Sequence, residues 1–231
     1  MNKDFRTISL LPIAAAGMIL FGFHCGMARA AEPTAPPAMA GPPAGQYQLD
    51  KSHASVLLRV SHMGFSTYTT RFSHFDSDLK FDPNNIQASS VVTTIDAASF
   101  EMDAAPQMCL DIVKGAKMLN VAEHPKIVFR SDKVRMSGAK SFEIDGTLDL
   151  LGVKHPLVLT GTYNGGYPGM PQDPHARVGF SAHGAIKRSD FGMTYGVPAP
   201  GTTMGVGDMI DVSIEAEFTG PPLSQPTSQT H

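Results

Sequence analysis

Nine histidines and two cysteines are the side chains of this chain best suited to metal or nucleophilic chemistry. Spacing decides whether they could act together. Metal and redox sites recur as H-x-H, H-E-x-x-H or C-x-x-C, because these intervals bring two donors to one face of an element. None of them occurs here, nor does the C-x-x-C-H of haem attachment or a G-x-S-x-G nucleophile elbow. Cys109 has only Lys114 as a nearby basic neighbour and reads as a small apolar filler. No catalytic residue, metal site or cofactor is therefore expected. An acid–base pair would have to come from His62 and His74, whose strand patterns give no common face. His62 falls on the apolar parity of its strand, where a lone histidine is more often a hydrogen-bonded core residue than a ligand contact. Arg188 and Asp190 stand at a strand end beside a glycine-rich loop. They read as an ion pair fixing that loop, or as Arg188 set at a cavity mouth to steer a polar headgroup.

What remains is apolar chemistry, and the elements that would position it alternate with period two. Val56, Leu58, Val60 and His62 share one face, with Arg59 and Ser61 on the other. Phe75, Ser77, Leu79 and Phe81 oppose Asp76, Asp78 and Lys80. Val91, Thr93 and Ile95 follow, then a strand over 127–134 led by Ile127 and Phe129. Phe142, Ile144, Gly146, Leu148 and Leu150 oppose Glu143, Asp145, Thr147 and Asp149. Residues 157–163 contribute Leu157, Leu159 and Tyr163. Val178, Phe180, Ala182, Gly184 and Ile186 oppose Arg177, Ser181, His183 and Lys187, and Ile210 to Phe218 alternate likewise. Eight one-faced strands with little helix point to an antiparallel sheet with one wet face, closed as a barrel or folded as a sandwich. Long, strongly one-faced strands suit the barrel, which also removes open edges. Residues 99–120 break the pattern. Met108, Ile112 and Val113 lie at helical spacing after Pro106, and Gly115 interrupts them, so one or two short helices are expected between strands three and four. Residues 164–176 and 192–207 read as long loops rimming the barrel.

The 231 residues carry only 17% charged side chains and a net charge of −3, which argues against a basic nucleic-acid-binding surface. Residues 1–30 have the form of a cleaved signal peptide: Lys3 and Arg6, an apolar run from Ile8 to Phe23, and Ala28-Arg29-Ala30 before Ala31. The apolar run is shorter than the ~20 residues of a membrane-spanning helix. Export to the periplasm would leave Cys109 without a disulfide partner, so packing must supply the stability. Residues 31–45 are a Pro/Ala-rich linker, 46–220 one domain, and 221–231 a disordered tail.

Short words along the domain resemble the YceI-like family of exported lipocalin-fold proteins. They are Tyr47-Gln48-Leu49-Asp50 with His53 and Ser55, and Val60-Ser61-His62-Met63-Gly64. Phe81-Asp82 and His124-Pro125-Lys126-Ile127-Val128-Phe129-Arg130-Ser131 follow. Gly146-Thr147-Leu148 with Gly152-Val153-Lys154-His155-Pro156, Lys187-Arg188-Ser189-Asp190-Phe191-Gly192, and Val206-Gly207-Asp208 complete the set. Their order spans about 47–218. Two places depart from the pattern: Thr70 and Arg71 stand where a glycine usually precedes Phe72, and Met118-Leu119 stand where paired phenylalanines are usual.

The resemblance implies an all-β, eight-stranded antiparallel lipocalin-like barrel carrying an isoprenoid amphiphile, a polyprenyl lipid or isoprenoid quinone, with no shared catalytic centre. It associates some members with cytochrome b561-type membrane proteins, and the oligomeric state stays open, a dimer included. The ligand is then expected against Val56, Leu58, Val60, His62, Phe75, Leu79, Phe81, Phe129, Leu148, Leu150, Phe180 and Ile186, with Arg188 at its polar end beside the 192–207 loop. His62 could donate to a quinone carbonyl or phosphate oxygen. Burying several hundred Å² of tail is worth on the order of 10 kcal/mol before ordering costs. A lipid-modifying enzyme and a partner-binding module with a filled barrel are the alternatives.

Overall fold

A computed structural model describes residues 41–223 of the chain. Its strands are β1 (Gly45–His62), β2 (Ser66–Phe72), β3 (Phe75–Phe81), β4 (Ser90–Asp96), β5 (Phe100–Glu101), β6 (Lys126–Met136), β7 (Ser141–Leu150), β8 (Val153–Tyr167), β9 (His175–Lys187) and β10 (Val206–Pro222). One α-helix, α1 (Gln107–Lys114), and three short 3₁₀ turns complete the described residues. The signal peptide read over 1–30, the linker as far as residue 40 and the tail from 224 lie outside them.

All pairings are antiparallel, and the sheet closes where β1 meets β10, with Val56 opposite Ile214 and Leu58 opposite Val212. Ten segments make eight staves. β2 runs along the C-terminal half of β1 and β3 along its N-terminal half, so the two form one interrupted stave. The two residues of β5 only extend the sheet beside β2, with Phe72 opposite Phe100. The eight-stranded antiparallel lipocalin-like barrel expected from the sequence is the observed fold.

Side-chain alternation explains why these segments are strands. Apolar side chains on one face turn inward, and charged ones on the other face water. Parity is not uniform along β1. Tyr47 and Leu49 point inward at odd positions, Val56 at an even one. The pairing with β10 slips between Leu49 and Ala54, where residues 50–53 bulge and let the strand turn the barrel's corner. A second slip, between Ser131 and Lys133, carries the inward face of β6 from Ile127 and Phe129 to Val134.

One expectation needs correcting. The connection read over 164–176 is shorter, because β8 continues to Tyr167 and β9 starts at His175. The glycines that suggested a loop sit in the sheet: a β-carbon on Gly166 would overlap the Arg177 carbonyl of the neighbouring strand. Met108, Ile112 and Val113 fall in α1 as their spacing suggested; Met108 is exposed, while Cys109, Ile112 and Val113 look into the barrel. The first strand starts at Gly45 and the last ends at Pro222. Gly115 ends α1 as expected, for a β-carbon there would lie 2.8 Å from the Asp111 carbonyl oxygen.

Candidate functional site: the barrel lumen

Closing eight staves with inward apolar faces produces a lumen, and whether it is filled depends on side-chain volume. It is not filled. Leu58, Val60, Ile144, Ile186, Val212 and Ile214 all border an internal cavity yet remain only half-buried. A packed core would bury them fully. The cavity measures about 1230 Å³, above the usual range of about 300–1000 Å³ for small-molecule clefts. All thirteen residues expected to meet a ligand border it: Val56, Leu58, Val60, His62, Phe75, Leu79, Phe81, Phe129, Leu148, Leu150, Phe180, Ile186 and Arg188.

The two halves of the lumen differ. Toward the end where both termini leave, Phe180 is the hub of an aromatic cluster. Its ring centroid lies 5.5 Å from Tyr163, 5.8 Å from Phe142, 5.9 Å from Phe81 and 6.1 Å from Phe218. Tyr47 packs edge-on against Phe81 and donates its hydroxyl to the Pro43 carbonyl at 2.7 Å. Burial pushes the Tyr47 phenol up to about 12, with Tyr163 nearby adding to the effect. Toward the other end aliphatic side chains alternate with Phe72, Phe100 and Phe129 in the walls, and Met102, Cys109, Ile112, Val113 and Met118 close the lumen from the side of α1.

Polar groups in the wall are few. Ser77 and Thr93 share a hydrogen bond of 2.8 Å across β3 and β4. Tyr68 donates its hydroxyl to the Asp103 carbonyl at 3.0 Å, tying β2 to the segment that leads into α1. Among the described lining residues, only His62, Asp103 and Arg188 are acidic, basic or histidine side chains.

His62 is not a core histidine. It is exposed, at the last position of β1, on the lip of the cavity. His74 does not border the cavity; its carbonyl serves the turn after β4, accepting from the Asp96 N–H.

Arg188 fixes the adjoining loop, as one of the two sequence-based readings had it, but through backbone carbonyls and not through Asp190. It is 1% exposed, lying inside the wall under the loop that carries Tyr195. Nε donates to the Gly207 carbonyl at 2.9 Å, Nη2 to that of Val206 at 2.9 Å, and Nη1 to those of Met193 at 2.7 Å and Tyr195 at 2.9 Å. Its donors therefore hold both ends of the 192–205 loop instead of facing a ligand. The expected ion pair with Asp190 is absent from this arrangement: Asp190 pairs with Lys187 at 3.6 Å. Asp208 instead accepts from the N–H and hydroxyl of Ser189. Burial lowers the Arg188 pKa, and the Asp208 carboxylate opposes that.

One His/Asp/Glu cluster could be mistaken for a metal site. The ligand atoms of Asp50, His53 and Glu217 lie within 4.8 Å of one another on the outer surface. Arg177 already supplies the cation, donating to Asp50 at 2.6 Å and lying 3.5 Å from Glu217.

Sequence reasoning left several lining residues out of the site. Ile144, Leu159, Val212 and Ile214 sit on strand parities already identified and needed only to be carried over. Tyr68, Thr70 and Phe72 also line the lumen. The signal there is the period-two spacing before the turn at Ser73, masked because two of the three carry hydroxyls.

A family model described as a YceI-like domain matches residues 47–218. A UPF0312 protein of Vibrio cholerae is 30% identical over 178 residues, covering 75% of this chain and 87% of that protein. Among solved structures, Burkholderia cenocepacia BcnA superposes with a TM-score of 0.61 at 22% identity, covering 73% of this chain and 98% of that one. A polyisoprenoid binding domain from Saccharophagus degradans superposes with a TM-score of 0.56 at 13% identity, covering 76% and 98%.

Proposed function

Because this chain belongs to the YceI-like family, we propose that it is a binding protein whose barrel holds one elongated isoprenoid amphiphile, and that it is not an enzyme. The observation that carries this reading is the set of inward aliphatic side chains left half-exposed around a cavity of about 1230 Å³. An isoprenoid tail has no hydrogen-bonding groups, so only apolar area can hold it, and apolar area is what the walls offer. The likeness in fold to a polyisoprenoid binding domain agrees with this choice of ligand class.

The polar end of the ligand belongs at the end of the lumen where His62, Tyr68, Asp103 and Tyr195 border the cavity. Arg188 contributes there by fixing the loop that carries Tyr195. Hydrolysis or isomerisation of the lipid would need an acid and a base aimed at one point. His62 on the lip and Asp103, whose carboxylate stands in water 4.0 Å from Arg71, are not held by neighbours toward the lumen, and Arg188 is buried and carbonyl-bonded. The signal-like residues 1–30 support a periplasmic location.

Native mass spectrometry of protein purified from its source tests the proposal. The expected result is one lipid per chain, of a mass unchanged after prolonged incubation. A shift of that mass to a product would favour the enzyme, and a protein free of lipid that also takes up none from isoprenoid quinone micelles would favour a partner-binding module.

A further inference from the structure

The barrel end that carries His62 is edged largely by chain without charge, with Asp103, paired to Arg71 at 4.0 Å, as the exception beside the lumen. Residues 60–70, 104–110 and 192–207 contain no Asp, Glu, Lys or Arg. On these segments large apolar side chains stand in water: Phe65 is 81% exposed, Met108 68%, Met204 62% and Tyr195 47%. Phe65, Met204 and Tyr195 belong to one continuous crown. The Met63 N–H donates to the Gly205 carbonyl at 2.7 Å, and a β-carbon on Gly64 would lie 3.0 Å from the Thr203 hydroxyl, so the turns bearing Phe65 and Met204 adjoin. The Val206 N–H donates to the Gly196 carbonyl at 2.8 Å, which folds Tyr195 in beside them. The crown is also continuous with the lumen, since His62, Tyr68, Tyr195 and Gly196 border the cavity.

Exposed apolar side chains gathered at one end, and not scattered, mark an interaction surface. We propose that this crown docks on the surface of a lipid bilayer, with Phe65 and Met204 entering the boundary between headgroups and acyl chains. The inference rests on the reading of the lumen as a lipid carrier, because a water-insoluble tail passes between barrel and membrane only where the mouth touches the bilayer. The charge distribution fits this occupant. The charge-free segments suit the acyl boundary, the Asp103 carboxylate at their edge has Arg71 at 4.0 Å, and Lys117, with its ammonium 5.2 Å from the Tyr195 ring centroid, stands where anionic headgroups would meet it. The geometry leaves the crown uncovered by the described ends of the chain. β1 begins at Gly45 opposite Phe81, and β10 ends at Pro222 opposite His175, both at the far end of the barrel.

The chain has no tryptophan, so Phe65→Trp introduces a unique fluorescent reporter. Vesicles of phosphatidylcholine with one quarter phosphatidylglycerol should shift its emission to the blue, and brominated acyl chains should quench it. Lys80→Trp, on the outer face near the opposite end, should show neither effect. In flotation assays Phe65→Ser/Met204→Ser should bind the same vesicles at least tenfold more weakly, while still taking the neutral dye N-phenylnaphthylamine into the lumen. The proposal is overturned by an unshifted emission from the Phe65→Trp variant, by an equal shift from Lys80→Trp, or by undiminished flotation of the double variant. A blue shift that appears without vesicles and grows with protein concentration assigns the crown to a second copy of the chain and likewise overturns it. The dye reads the lumen separately: wild-type protein that docks but takes no dye refutes the carrier reading and leaves the docking standing.

Discussion

The ring of Phe129 on β6 occupies the space that a side chain at position 146 on β7 would need. A β-carbon on Gly146 would overlap the ring's edge and also lie 2.6 Å from the Arg130 carbonyl oxygen. The glycine lets an aromatic residue lie flat along the lumen wall, leaving the space beyond it open. Gly146→Ala should therefore cost about 1–3 kcal/mol of stability in urea denaturation. Gly146→Ala/Phe129→Leu should recover part of that loss. A single variant as stable as the wild type would show that the ring does not press on this position.

Arg188 makes the second prediction. Replacing it by alanine strips the carbonyls of Met193, Tyr195, Val206 and Gly207 of their common donor. Buried acceptors left without a donor cost about 1–3 kcal/mol each when they cannot reach water. Arg188→Ala should lose about 3 kcal/mol or more and expose the 192–205 loop to limited proteolysis. Arg188→Lys should recover only part, because one ammonium cannot span four carbonyls set around a planar fork. Unchanged stability and unchanged loop protection would contradict the clamp.

Much of this architecture was legible in the residues, for a physical reason: an inward face is apolar and an outward one is not. Alternation in Phe142 to Leu150 and in Val178 to Ile186 placed both strands correctly. It failed where polarity and direction part. Tyr68 and Thr70 point inward but carry hydroxyls, so β2 showed no apolar stripe. The bulge at 50–53 switches parity within β1, and nothing in Asp50-Lys51-Ser52-His53 marks the slip. Arg188 read as half of an ion pair or as a mouth residue because its burial depends on four backbone carbonyls, two from the 192–205 loop and two from the start of β10, which no side-chain pattern marks. The lumen's openness was not legible at all, since the same apolar residues could equally fill it.

Stability should fall at high pH through Tyr47. An unfolded tyrosine ionises near 10, whereas Tyr47 in the barrel is held protonated up to about 12. The unfolded chain releases its proton first, so the stabilising contribution is intact below about pH 10 and is lost as pH rises to about 12. Relative to Tyr47→Phe, the wild type should lose unfolding free energy across that window. A difference between the two that is independent of pH there would contradict the burial.

Acid should act through Asp50. Hydrogen bonds from Arg177 first, and from Ser52 and His53, hold its carboxyl well below the usual carboxylate range. Such a group stabilises the fold above its unfolded value near 4 and loses that contribution as pH falls toward its folded value. Asp50→Asn should be less stable than wild type at neutral pH, and the gap should close below about pH 4. A gap that widens on acidification would reverse the assignment.

The central claim is that the ligand lies inside the barrel, and Leu148 on β7 and Phe180 on β9 test it from two strands of the wall. Native mass spectra of wild type, Leu148→Asp, Phe180→Asp and the outer-face control Val158→Asp should be compared after circular dichroism has confirmed folded β-structure. A buried carboxylate beside an apolar tail is far costlier than one in water. Wild type and Val158→Asp should therefore carry one lipid per chain, and the two lumen variants none. Folded lumen variants that retain their lipid would place the ligand elsewhere and contradict the account.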